Sequence, residues 1–177
     1  MAMTLITTNT SSNAASSSFT SSIDSTYKLY IFKWYDVNPA TNEQVFRFQC
    51  STDGGSNYNT TVTSTHFQSK NNEGDSDSGL EYRTDQDVAQ GTGYIPLMPG
   101  IGSGGDESGA GELHLFNPSS GTYVKHWYAE EIWYHGGDAA RHTFQGGYFN
   151  TTSAINAISF NFESGNMDGT IKMYGVG

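Results

Sequence analysis

The chain has 177 residues, 18 acidic and 8 basic, for a formal charge of −10. That length suits one domain with a core of its own, and its single cysteine, Cys50, excludes an internal disulfide. An acidic surface lacks the lysine and arginine footprint of a nucleic-acid binder and is repelled by an anionic membrane, so neither is an expected partner.

Charged residues make up only 15% of the chain and aromatics 14%, so Ser, Thr, Asn and Gly supply most of the polar surface. That balance favours strands over helices. Met1–Ile6 has neither the basic flank nor the apolar run of a secretory signal, so synthesis in a cytoplasm is expected. Residues 7–22 form a Ser/Thr/Asn/Ala tract with little apolar surface to bury. The expected organisation is therefore a flexible N-terminal arm over 1–22 and a β-domain over 23–177.

From Tyr27 the pattern alternates with period two. Leu29, Ile31, Lys33, Tyr35 and Val37 fall on one face, and Tyr30, Phe32 and Trp34 on the other. A turn at Val37–Asn42, broken by Pro39, leads to a returning strand over 43–51, with Phe46, Phe48 and Cys50 on one face. This reads as a hairpin. Thr52–Asn57 is a Gly/Asx turn, and the threonine-rich stretch over 58–68 is strand-like, with Val62 and Phe67 as its few apolar members. An acidic loop over 69–79 and a short strand over 80–84 follow. The Gly/Pro-rich stretch over 90–109 reads mostly as loop.

Further on, Glu112–Phe116 and Thr122–Ala129 flank the turn Asn117–Gly121 as a second hairpin, which sets His114 and His126 as a facing pair. Short strands are expected at 132–134, 144–150, 157–162 and 170–174, the last two joined as a hairpin by Ser164–Gly169. Eight to ten strands with irregular crossovers predict an all-β fold, an antiparallel two-sheet β-sandwich of jelly-roll type.

Site chemistry is sparse. Glu73, Asp75 and Asp77 alternate as hard oxygen donors and are candidate calcium ligands, but they do not follow an EF-hand pattern, so a solvated loop is the expectation. No histidine spacing reads as a metal site, and no nucleophile elbow or phosphate loop is present, so no cofactor and no catalytic residue are expected. Glu130 and Glu131 are adjacent, so they point to opposite faces of a strand and cannot act as a hydrolytic pair. Asp85 and Asp87 share a face without an aromatic platform beside them. The pairs Trp34-Tyr35, Trp127-Tyr128 and Trp133-Tyr134 stand out more. One member of each leaves its own core, which makes all six candidate subunit anchors.

Several segments are distinctive as strings: Cys50–Asn59 (CSTDGGSNYN), Leu113–Ser120 (LHLFNPSS), Tyr123–His126 (YVKH), Gly147–Phe160 and Ser164–Gly175. From about Ser22 to the C-terminus the chain resembles a recurring all-β module of marine tailed bacteriophages. The resemblance implies a virion structural protein, made in the host cytoplasm, and carries over no catalytic residue. The expected function is non-enzymatic: a capsid decoration (cement) protein or head-surface appendage. It is expected to be a homo-oligomer, with a trimer favoured, seated on a major capsid protein or another virion protein. A tail or head fibre tip that binds host-surface glycans is the alternative, and a jelly-roll carbohydrate-active enzyme the second.

Overall fold

Period-two alternation becomes strand almost everywhere. The computed structural model describes residues 2–177 and contains no helix among them. In chain order the strands are β1 (Met3–Ala14), β2 (Ser17–Phe19), β3 (Leu29–Pro39), β4 (Gln44–Ser51), β5 (Val62–Asn72) and β6 (Ser78–Tyr82). They continue as β7 (Ile95–Ile101), β8 (Gly109–Phe116), β9 (Lys125–His135), β10 (Ala139–Phe149), β11 (Ala157–Phe162) and β12 (Met167–Val176).

Every pairing is antiparallel, and the twelve strands form one connected, nearly closed, barrel-like sheet. The ladders fall into two runs. One is β1-β12-β3-β8-β9-β10-β5-β6 and the other β7-β4-β11-β2. They join at a single register pair, Ile101 with His135. Two separate sheets, as a sandwich requires, are therefore not what the hydrogen bonding draws.

The core lies between the runs and is aromatic. Phe46 and Phe160 stack at 5.9 Å, Phe48 meets Trp127 edge-on at 4.9 Å, and Trp34 and Phe32 pack on Phe160 at 6.0 and 5.7 Å. Burial of each such ring stabilises the fold by roughly 2 kcal/mol, with a further contribution from ring geometry.

The aromatic core overturns two expected hairpins. β3 pairs with β12 and β8, and β4 pairs with β7 and β11, so the chain between them arches across the core. Both strands carry an aromatic inner face, and setting those faces opposite each other buries both. The same reason separates β11 from β12. The β8–β9 hairpin does form. Its register sets His114 opposite Tyr128, not His126, because the connection is longer than the expected turn.

Three further expectations change. Within the stretch expected as a flexible arm, whose residue 1 lies outside the described residues, β1 pairs along β12 from Met3–Val176 to Ala14–Met167, and β2 pairs with β11. A hydroxyl-rich strand needs only a partner's free edge to satisfy its backbone, and Ile6 and Ala14 pack on the core rim. Within the stretch over 90–109 expected mostly as loop, Ile95–Ile101 is β7, with Ile95, Leu97, Met98 and Ile101 fully buried. Val37 leaves the face of Lys33 and Tyr35. A bulge between Trp34 and Val37, with Asp36 at φ 51°, turns its side chain into the core.

Candidate functional site: the outer face of the eight-stranded run

Alternation places every second side chain of β12, β3, β8, β9, β10, β5 and β6 on the outside of the long run. Read across the strands, one outer row is Lys172, Lys33, Glu112, Glu130, Phe144, Phe67, Tyr82. Its middle is polar and linked. Lys33 Nζ lies 2.6 Å from Glu112 Oε2, and Glu112 Oε1 lies 2.8 Å from His114 Nε2. Tyr128 Oη and His114 Nδ1 share a hydrogen bond of 3.1 Å, and the two rings stack at 4.4 Å. Glu130 pairs with His142 at 3.1 Å.

Burial pushes the Glu112 carboxyl up, but hydrogen bonds from Lys33 and His114 outweigh it and hold the group below the usual range. Glu112 is therefore an anion at neutral pH. Its bond to Lys33 raises that ammonium's pKa in turn. Beside the row a shallow cavity of about 520 Å³ opens between Tyr35, Ala110, Ile132 and His142, with Glu112 and Glu130 on its floor. Beneath it Gly111, in register with the inward Trp34 and Glu131, faces the core, where a Cβ would stand 2.6 Å from the Glu130 carbonyl and 2.8 Å from the Trp34 ring.

Towards β6 the outer face turns apolar. Phe144 and Phe67 are register partners 54% and 45% exposed, Tyr82 meets Phe67 edge-on at 6.0 Å, and Leu80 and Ile132 are 70% and 57% exposed. Behind them the inner face is polar. Ser64, His66, Gln68, Thr143 and Gln145 are buried on β5 and β10, with Glu131 beside them on β9. Thr143 Oγ1 donates to Glu131, and Gln145 Nε2 donates to the Leu97 carbonyl at 2.8 Å and to Glu131 at 3.3 Å. Arg83 covers the cluster, donating to Gln68 at 3.0 Å and pairing with Asp85 at 2.8 Å.

Burial pushes the Glu131 carboxyl well up. Burial, reinforced by the Arg83 charge, lowers His66 to about 4. Among the described residues neither His66 nitrogen has a hydrogen-bond partner, and the lowered pKa keeps the ring neutral at neutral pH. In the middle of β5 and β10 the usual sidedness is reversed, with Phe67 and Phe144 in water and His66, Gln68, Thr143 and Gln145 inside.

Of the six expected anchors, Trp34, Trp127 and Trp133 are core residues, 1–3% exposed. This corrects the expectation for those three, because the inner position of each pair takes the larger ring. Tyr35 and Tyr128 lie outside at 42% and 43% exposure. Tyr134 is half-buried and donates to Glu73 and Asp138 at 3.1 Å each. The acidic loop is a tight turn capped by the Asn72 side chain, with Asp77 paired to Lys70 at 2.8 Å. Glu73 is turned towards Tyr134, and no group of three His, Cys, Asp or Glu side chains converges among the described residues.

Glu130 and Glu131 do face opposite sides, and the carboxyl that burial raises is the inner one, 1% exposed. Asp85 pairs with Arg83, and Asp87 accepts from Tyr82 at 2.6 Å. The residues that sequence reasoning passed over are Phe67, Leu80, Tyr82 and Phe144. Parity could have found two of them. Phe67 is five residues from buried Val62, and Phe144 five from buried Phe149, and an odd offset reverses the face. Comparison of the chain with protein-family models, with curated proteins and with solved structures finds no match.

Proposed function

We propose that this chain is a non-enzymatic structural protein of a phage virion, a capsid decoration protein or head-surface appendage made in the host cytoplasm. Its two strand runs are read as the layers of a jelly-roll-like sandwich, and its work is done by surface contact. One observation carries the reading: Phe67 and Phe144 stand in water on strands whose opposite face hides His66, Gln68, Thr143 and Gln145, with Leu80 and Tyr82 exposed beside them on β6. Keeping aromatics out and burying polar groups costs stability, and a partner that covers the outer face offsets that cost. The resemblance of the segments from Cys50 onward to a phage module supplies the kind of partner, a virion surface.

The direct test adds purified chain to particles that lack it and measures co-sedimentation. Binding is expected, and Phe67→Ser with Leu80→Ser together is expected to reduce it at least tenfold while circular dichroism stays unchanged. Equal binding by the double variant would overturn the reading. A host-glycan ligand is the second reading, carried by the groove that Tyr35 flanks with Glu112 and Glu130 on its floor. Retention of the chain on a glycan array would move the assignment there.

A further inference from the structure

The outer face of the long run is ordered by charge. Lys172 and Lys33 occupy consecutive strands β12 and β3, and Glu112 and Glu130 occupy the next two, β8 and β9, all in one row. Among the described residues Lys172 forms no ion pair. Its ammonium lies over the Tyr35 ring, 5.5 Å from the centroid. Glu130 meets only His142. The outermost cation and the outermost anion of the row are thus the two without a fixed opposite charge.

We infer that this face binds a second copy of the same chain about a two-fold axis. The axis lies in the plane of contact, runs along the strands and passes between β3 and β8. Such an axis sets β3 of one copy over β8 of the other, and β12 over β9. Lys33 then faces Glu112 of the second copy, and Lys172 faces Glu130 of the second copy. Two like-charged blocks that would repel in any parallel stacking become complementary by symmetry.

The apolar groups in the flanking rows follow the same operation. Tyr174 shares a row with Tyr128, so each faces the other's copy, and Leu29 comes over Phe116. Tyr35 arrives over Ala110, where the 520 Å³ cavity is open.

The overlap spans six strands, β1 to β10 along the run. At ~4.8 Å per strand and ~24 Å of strand length it covers about 700 Å² per copy. A stable interface needs about 800 Å² per partner, so the face is of the right size. β5 and β6 project beyond the overlap and leave Phe67, Leu80 and Tyr82 free for a different partner. The pairing deepens the proposed assembly role and rests on that role only for its purpose. It takes the place of the trimer expected for a decoration protein.

Light scattering coupled to size exclusion, on the full chain, tests it. A dimer is expected, weakened by salt. Lys172→Glu and Glu130→Lys are each expected to weaken dimerisation about tenfold or more, and the double swap to restore it. Within one chain these two residues stand three strand spacings apart, about 14 Å, too far to pair, so rescue reports contact between copies. Ala110→Arg fills the cavity from the outside of a folded strand and is expected to give a monomer. A wild-type monomer at about 0.1 mM, a trimer, or a double swap that fails to rescue would overturn the inference. Particle binding by a monomeric chain removes the dimer alone, and a dimer that ignores particles removes the virion reading alone.

Discussion

The β12–β3–β8 region and the β10–β5–β6 region belong to one continuous ladder but use their two faces in opposite ways. In the first, Tyr30, Phe32, Trp34, Leu113 and Met173 are buried, while Lys33, Glu112 and Lys172 face outwards. In the second, Ser64, His66, Gln68, Thr143 and Gln145 are buried and Phe67 and Phe144 exposed, while Val62 and Phe149 at one end stay in the core. The first arrangement is what folding alone favours. The second is worse for the isolated chain, because His66 loses its hydration without gaining a partner. Folding alone explains the first region, and the proposed contact would account for the second.

The sharpest way to break the comparison is a matched pair of phenylalanine truncations. Phe160→Ala, at the centre of the aromatic core, is expected to cost about 3–5 kcal/mol, and Phe144→Ala well under 1 kcal/mol. Urea denaturation of both measures this, and similar losses would show that the outer ring is structural.

His66 comes next. Its pKa is about 4 in the fold and near the ordinary 6.5 when unfolded, so between those values the unfolded chain binds the proton first. Its share of stability is whole above about pH 6.5 and falls as pH drops towards 4, by up to ~3 kcal/mol. His66→Leu is expected to flatten that limb of the stability–pH curve. The exposed Asp53 carboxylate is held near 2, first by Ser51 and then by Asn57. Its contribution is lost only lower down, between about 3.8 and 2, so the two windows separate.

Glu131 works in the other direction. Its raised pKa means the folded chain holds the proton more tightly than the unfolded one. That contribution is present below the unfolded value, near 4.5, and is lost as pH rises. Glu131→Gln keeps a neutral amide beside Thr143 and Gln145. It is expected to stabilise the protein by about 1–2 kcal/mol at pH 8, with no gain at pH 4. Melting curves at the two pH values check the sign. The smallest effect on stability, about 0.5 kcal/mol or less, is expected for Phe67→Ser with Phe144→Ser. Binding of an apolar fluorescent dye should fall in that variant.

Local pattern was a good guide where a strand's neighbours are near in sequence. The faces of Tyr30–Trp34 and Phe46–Cys50 and the β8–β9 hairpin were all legible from period two and turn residues. That Trp127 and Trp133 face inward was not, since an aromatic pair does not say which ring faces in. The partnership of Phe67 with Phe144 was also hidden. Those strands are far apart along the chain, and the cover over their inner face comes from Arg83 and the β7 segment.

The sequence alone determined that the chain would be antiparallel β with an aromatic core. Alternation and Gly/Asx turns are local properties that each segment carries with it. Tertiary structure decided which strands arch across the core instead of pairing, that the Ser/Thr-rich start docks as a strand on the last one, and which face of β5 and β10 meets water. Those choices depend on distant partners competing for the same backbone edges and the same buried volume, and no window of the sequence contains both competitors.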